Sequence, residues 1–346
     1  MIVNMQKIQF FFSALFLNLL SIKYLTFKKL INLFLLRISY IISFLKINNN
    51  TGLYPYFISL EPANFCQLQC PECPVGLRYF TQEKHELINK NVGFEVIDEL
   101  KDNLIHIIFY FQGEPLLNKD LCSYIKYAHD ANIFTSTSTN AQALNYFTAK
   151  NIVESGLDKI IISIDGTTQE VYEQYRIGGK LSKAIEGIKF IQEWKLKLKS
   201  RTPFIEIQFI VFKTNEHQLS DIYKLAKNLK INNIAIKTAQ LYNFENGNSL
   251  LTSLKKYARY KKQKNGQYAI KSKLPNHCWR MWSGGVINTK GELLPCCFDK
   301  NSSNNFGNIS SSTFMTIWHN DKSKIFRNKL LADRKQFDMC KNCTSV

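Results

Sequence analysis

Between residues 55 and 240 the sequence predicts an α/β fold, a parallel sheet that closes or nearly closes into a partial (β/α)6 TIM-like barrel. Three observations carry this. Six apolar, β-branched runs of strand length alternate with longer stretches that repeat at helical spacing. One of those runs, KIIISI at 159–164, sets Ile160, Ile162 and Ile164 on one face and Lys159, Ile161, Ser163 and Asp165 on the other. An all-isoleucine face needs helices to cover it, so Ser163 and Asp165 turn inward. Last, a cysteine-rich loop directly follows the first strand, at the strand-end edge where such barrels place their chemistry.

Taken in order, the run at 56–61 is the first strand, and 92–103 is a helix with Val92, Val96, Ile97 and Leu100 on one face. Strands follow at 105–111, 133–138, 159–164, 204–212 and 233–238, with helices at 118–131, 141–155, 180–199 and 215–229 between them. Residues 241–275 read as a basic linker. Residues 276–346 read as a small C-terminal α+β domain, with a hairpin turning at Asn288-Thr289-Lys290-Gly291 and a helix over 313–331.

The chain has 346 residues, 45% apolar and 21% charged, which excludes a disordered protein. A net charge of +18 points to an acidic partner or to dispersed surface lysines. Nine cysteines bunched towards both ends read as ligands more than as disulfides, which places the protein in the cytoplasm. Within KKYARYKKQK, Lys255, Lys256, Arg259, Lys261, Lys262 and Lys264 surround Tyr257 and Tyr260; a solvated connector is expected there, since no nucleic-acid module accompanies it.

Residues 1–50 carry Lys7, Lys23, Lys28, Lys29, Arg37 and Lys46 and no acidic residue. The apolar run at 10–20 is about half the roughly 20 residues that cross a bilayer. From 27 to 46 the polar residues fall in a narrow stripe, which fits a basic amphipathic helix on the inner membrane face or a helix docked on the protein's own core. A secretory signal is not expected, for want of a cleavage motif.

The chemistry centres on CQLQCPEC. Cys66, Cys70 and Cys73 stand in a C-x3-C-x2-C run, and Pro71 and Pro74 keep it from becoming a helix. Three thiolates suit zinc with a fourth ligand, or an iron–sulfur cube with one iron left open. Gly113, Glu114 and Pro115 form a turn after the second strand, where glycine permits close approach and Glu114 is an acceptor for an ammonium group. Glu206, Gln208 and Lys237 sit on inward faces of the last two strands, as substrate contacts or as a structural ion-pair network.

These motifs in combination, CxxxCxxC, Gly-Glu-Pro and SIDG, resemble the radical S-adenosylmethionine enzymes over about 55–240. The resemblance implies that Cys66, Cys70 and Cys73 hold a [4Fe–4S] cluster whose open iron chelates S-adenosylmethionine. It implies further that Gly113 and Glu114 hold the methionine amino group, and that Ser163 and Arg176 contact its carboxylate and ribose. Two positions depart from the family pattern: Glu72 precedes the third cysteine, and Gln112 stands where a glycine is usual.

Cys278, Gly291 and Cys296 in C-x12-G-x4-C, with Cys340 and Cys343 in CKNC, resemble the twitch form of the SPASM extension of that family. The chain ends three residues after Cys343, so one auxiliary [4Fe–4S] cluster is expected, on Cys278, Cys296, Cys340 and Cys343, with Cys297 a rival to its neighbour. Cys122 reads as a small buried residue.

The resemblance implies reductive cleavage of S-adenosylmethionine to a 5′-deoxyadenosyl radical, fed by an external donor such as flavodoxin or ferredoxin. The leading expectation is oxidation of a small polar or sugar-like substrate, with Asp165, Glu206, Gln208 and Lys237 facing it and the auxiliary cluster accepting an electron. The alternative is a peptide- or protein-modifying enzyme of the same superfamily, disfavoured because residues 1–50 are too short for a winged-helix recognition domain. A non-catalytic zinc protein is the third reading.

Overall fold

The computed structural model describes residues 21–45, 52–77 and 84–344. The apolar run at 10–20 lies outside the described residues, as does Lys46. The core is a parallel sheet of β1 (Phe57–Leu60), β2 (His106–Phe109), β3 (Phe134–Thr139), β4 (Lys159–Ser163), β5 (Phe204–Val211) and β6 (Asn233–Thr238), paired in chain order. Helices α2 (Lys90–Leu100), α3 (Leu121–Asp130), α4 (Tyr146–Glu154), α6 (Leu181–Lys197) and α7 (Leu219–Asn228) connect successive strands. A short helix before α6, α5 (Gln169–Tyr175), is too short to show helical periodicity; Thr168 caps it by accepting from Val171 N–H.

The isoleucine face behaves as expected. Ile160, Ile162 and Ile164 are fully buried, as are Ile58, Ile107, Ile207 and Phe209 on neighbouring strands. Each such side chain contributes about 1.5–3 kcal/mol on burial, so this outer face fixes the register. The inner face is polar near the mouth and plugged at the bottom. There Phe57, His106 and Phe134 pack edge to face, with ring centroids 5.0 Å apart in each pair.

The C-terminal region is not a separate layer. After a small hairpin, β7 (Tyr260–Lys262) with β8 (Tyr268–Ile270), a one-turn helix α8 (Arg280–Ser283) leads into β9 (Gly284–Ile287). Strand β9 pairs parallel with β1, Phe57 opposite Gly284, and then turns into β10 (Glu292–Leu294) and β11 (Gly307–Asn308). One nine-stranded sheet therefore runs β11-β10-β9-β1-β2-β3-β4-β5-β6. A Cβ on Gly284 would fall 1.8 Å from the Phe57 carbonyl oxygen, so only glycine lets the strands meet there. The helix expected over 313–331 is two, α9 (Phe314–Trp318) and α10 (Asp321–Ala332), because Asn320 caps a new start by accepting from Ser323 N–H. A last turn, α11 (Asp338–Lys341), carries Cys340.

Residues 241–275 are more than a linker: Tyr260 is buried, stacked on Phe244 at 4.2 Å, and its hydroxyl donates to Asn342 Oδ1 at 2.7 Å. The ring is spent on packing and is not free to stack on a base.

At the N-terminus, helix α1 (Phe27–Ile42) crosses the bottom of the barrel. Its polar side chains reach the loops that precede the strands. Asn32 exchanges hydrogen bonds with the Tyr54 backbone, Lys28 pairs with Asp102, and Lys29 donates to the Asn132 carbonyl. Just before α1, the Tyr24 hydroxyl donates to Asp158.

Candidate active site

The cysteine loop occupies the barrel mouth because the ends of β1 and β2 are drawn together. A Cβ on Gly113 would lie 2.1 Å from the Ala63 carbonyl oxygen, and one on Gly76 would lie 2.4 Å from that of Cys70. These two close approaches fold the loop back beneath itself. Glu72, the first departure from the family pattern, ties it outward: its carboxylate accepts from Tyr242 N–H at 2.8 Å and from Asn248 Nδ2 at 3.0 Å.

Donors are aimed at the sulfurs. Leu68 N–H and Asn140 Nδ2 stand 3.4 and 3.3 Å from Cys66 Sγ, and Arg176 Nη1 stands 3.8 Å from Cys70 Sγ. Donors directed at sulfur favour thiolate over thiol. Without a metal, burial pushes Cys66 up to about 12 and raises Cys70, whose rise the Arg176 guanidinium opposes. All the cysteines are free of disulfides. Among the described residues, no three His, Cys, Asp or Glu side chains converge tightly enough to grip a single metal ion, as zinc would require with Zn–S near 2.3 Å. A soft three-thiol set with donors behind it fits an iron–sulfur cube, whose ligands are spread over several irons.

The supporting residues divide sharply. Glu114 is buried, and its carboxylate accepts from Thr139 Oγ1 at 2.6 Å, Leu116 N–H at 3.1 Å and Asn140 N–H at 2.8 Å. It therefore holds Asn140, which in turn donates to Cys66. Pro115 starts the turn that follows. Ser163 ends β4 in register with the half-buried Gln208, both near the mouth.

Three expected substrate contacts are placed otherwise. Asp165 has Arg176 on Oδ2 and Ile210 N–H on Oδ1 (2.6 Å), so it positions the arginine and does not face a substrate. Glu206 lies near the start of β5, paired with Lys159 at 2.9 Å and Asn233 at 2.6 Å, in the barrel floor away from the mouth. Alternation gave its face correctly but not its depth. Lys237 is exposed on the edge strand β6, where no further strand among the described residues closes the barrel over it.

Glu61 was not picked out from the sequence, where it reads only as the last residue of a strand. It is buried, and accepts from Gln112 N–H at 3.1 Å and Thr289 N–H at 3.3 Å, joining β1 to the hairpin turn before β10. Burial pushes its carboxyl up to about 7. Gln112, the second departure, donates through Nε2 to the Lys300 carbonyl at 2.8 Å and leaves Oε1 buried without a partner. Glu61, Cys66, Gln112, Thr289 and Lys300 all line one cavity of about 620 Å³ between the cysteine loop and the C-terminal hairpin.

The second cysteine set is more deeply buried than the first, in which Cys66 and Cys73 are only half-buried. Cys278, Cys296, Cys340 and Cys343 are each less than a tenth exposed. Arg334 Nη2 donates to Cys343 Sγ at 3.3 Å, and Phe298 N–H donates to Cys296 Sγ at 3.4 Å. Burial raises Cys278 and Cys340, with Arg334 pulling both back, and raises Cys296 strongly in the company of Cys297, Cys278 and Cys340. Cys297 packs instead against Phe111, Val286 and Leu294, with Arg280 Nη1 3.8 Å from its sulfur. Arg334 had no signal in the sequence, since a buried arginine among thiols is defined only by the fold. Cys122 is half-buried, against α3's inner neighbours.

A parallel half-open barrel with three thiols at its mouth and a second, buried thiol set beside its C-terminal hairpin is the kind of framework that suits iron–sulfur cofactors. The radical SAM superfamily model matches residues 60–226, and the iron–sulfur cluster-binding SPASM domain matches residues 278–344. The chain carries a radical SAM domain and a SPASM domain. Its cofactors are accordingly a [4Fe–4S] cluster, S-adenosylmethionine and auxiliary iron–sulfur. A PqqA peptide cyclase from Bradyrhizobium diazoefficiens is 25% identical over 316 residues, 84% of this chain and 78% of that protein. An AdoMet-dependent heme synthase from Oleidesulfovibrio alaskensis is also 25% identical, over 50% of this chain and 42% of that protein. Among solved structures, Streptococcus suis SuiB bound to precursor peptide SuiA superposes with a TM-score of 0.61 at 14% identity, over 87% of this chain and 73% of that one.

Proposed function

We propose that this enzyme modifies a peptide, seated in the cavity between the cysteine loop and the C-terminal hairpin. The observation that carries it is the likeness to a PqqA peptide cyclase along 84% of the chain, barrel and SPASM domain together. The heme synthase match spans only 50% of this chain and 42% of that protein. Oxidation of a small sugar-like alcohol, the leading expectation from sequence, gives way to the peptide reading for that reason. Three of its four substrate contacts are also spent on structure or turned to solvent.

In this reading Cys66, Cys70 and Cys73 hold the first cluster, and Cys278, Cys296, Cys340 and Cys343 hold one auxiliary cluster. When bound, the cluster and S-adenosylmethionine supply radical hydrogen abstraction. The chain's own residues do the rest. Glu114 orients Asn140 behind Cys66, and Asp165 orients Arg176 behind Cys70, where the guanidinium and Ser163 would hold the cofactor's polar groups. Gln112 Oε1, buried and unpartnered, offers an acceptor to a backbone N–H of the substrate. Glu61 faces the same cavity with its affinity for a proton raised to near neutral pH. The first substrate hydrogen would leave as an atom; Glu61 is suited to take the second as a proton, its electron passing to the auxiliary cluster. An external reductant of the flavodoxin or ferredoxin type supplies the electron.

The test is anaerobic reconstitution with iron and sulfide, then incubation with dithionite, S-adenosylmethionine and peptides encoded beside the gene. A peptide product lighter by two hydrogens, with matched 5′-deoxyadenosine, is the expected result. Turnover of a sugar alcohol with every peptide left unchanged overturns the peptide assignment.

A further inference from the structure

Helix α1 is amphipathic in the opposite sense to a helix that packs on a core. Such a helix normally turns its apolar stripe inward and its polar side to water. Here the buried side chains are Lys29, Asn32, Leu36 and Ser39, three of them polar and each of those held by the body of the protein. Lys29 and Asn32 are bound to loops at the barrel bottom, and Trp282 Nε1 donates to Ser39 Oγ at 3.1 Å. The apolar side chains look outward. Phe27 is 79% exposed, Phe34 64%, Ile41 60% and Leu45 73%, and Leu30, Ile31, Leu35 and Ile38 fill the rows between them.

The reversal has a local cause. The barrel bottom presents carbonyls and carboxylates from loops ahead of β1 to β4, so the helix meets it with donors. That leaves a continuous apolar face two helical rows wide with nothing on it among the described residues, the kind of patch that marks an interaction surface.

The charge around it selects the occupant. No aspartate or glutamate occurs in residues 1–60, and the chain as a whole carries +18. Lys23, Lys28 and Arg37 border the apolar rows; Arg37 lies over the Trp279 ring at 3.8 Å, and Lys23 and Lys28 stay about half exposed despite their acidic neighbours. Two copies meeting through this face would bring like charges together. An anionic bilayer would meet both the apolar rows and their basic border. No helix among the described residues is long and apolar enough to cross a membrane.

We propose that α1 is a membrane-surface anchor that lays its outward face into the interface of an anionic bilayer. The helix crosses the barrel bottom, so the mouth with its cysteine loop points away from the lipid and stays open to substrate and reductant. This holds whatever the substrate proves to be.

The experiment is flotation of the full-length protein with phosphatidylglycerol–phosphatidylcholine vesicles and with pure phosphatidylcholine vesicles. Wild type is expected to float with the anionic vesicles and to be released as salt is raised to about 0.5 M. Ile31→Glu with Phe34→Glu should weaken partitioning by about tenfold or more. Both side chains are exposed, so the melting curve should be that of wild type, and Arg37→Glu should weaken binding to anionic vesicles only. Equal flotation of the double variant overturns the proposal, as does equal binding of wild type to both vesicle types. A wild-type dimer that ignores vesicles, and that the double variant dissociates, shows a second copy on this face and overturns it too. So does a monomer that ignores both vesicle types, with the face covered by other residues of the same chain.

Discussion

Arg176 grips Asp165 with two nitrogens, Nε at 2.7 Å and Nη2 at 2.6 Å from the same oxygen, while its Nη1 stands 3.8 Å from the Cys70 sulfur. Asp165 is fully buried and the Arg176 side chain only 13% exposed; desolvation alone would neutralise the carboxyl, and the guanidinium opposes that rise. Losing the arginine would leave Asp165 buried without a counter-charge. Arg176→Ala should therefore cost about 3–5 kcal/mol of stability, read by urea melts of the metal-free chain. Arg176→Met with Asp165→Leu, which removes both charges, should recover most of that loss. If the single and double variants melt alike, the pair is not what holds this corner.

Glu114 reaches the first cysteine only through Asn140. Glu114→Gln places an amide against donors from Thr139, Leu116 and Asn140, and at least one of those contacts becomes a clash of donors. A cost of about 1–3 kcal/mol follows. Asn140 also donates to Cys66, so Asn140→Ala should shift the reduction potential of the first cluster with little change in iron content. Loss of iron without a shift would make Asn140 a packing residue.

The two cysteine sets should separate by iron count and spectroscopy. Cys70→Ala should abolish 5′-deoxyadenosine formation and remove one of two iron–sulfur signals. Cys343→Ala should remove the other and retain some uncoupled cleavage of S-adenosylmethionine. Cys297→Ala should keep both, since its side chain, though beside Cys296, packs with Phe111, Val286 and Leu294. Full iron content in Cys296→Ala together with loss in Cys297→Ala would exchange the two assignments.

Much of this architecture was legible because its signals are local. Alternation over 159–164 located the helix-facing side of the sheet, and cysteine spacing located both thiol sets. What the sequence hid is set by depth and by long-range pairing. Glu206 and Asp165 share an inward face, but one lies at the floor and the other under the mouth, and period two does not measure height. Strand β9 joins β1 across more than two hundred residues, so Glu61 met Thr289 only once the sheet was assembled. In α1 the polar stripe was visible, but its direction depended on the loops it faces.

Glu61 gives the pH test. Its carboxyl is buried and its proton affinity is raised in the folded chain, from an ordinary 4.5 to about 7. The folded state thus holds the proton more tightly than the unfolded state does. Its contribution is fully present below about pH 4.5 and is lost as pH rises through 7, roughly 3 kcal/mol in all. Many groups titrate in this window, so the measurement is the difference between wild type and Glu61→Gln, by urea melts of the metal-free chain at pH 5 and pH 8. Wild type should lose stability relative to the variant as pH rises. Parallel curves would mean that the two backbone N–H donors already hold Glu61 ionised, and would take away its place as proton acceptor at the cavity.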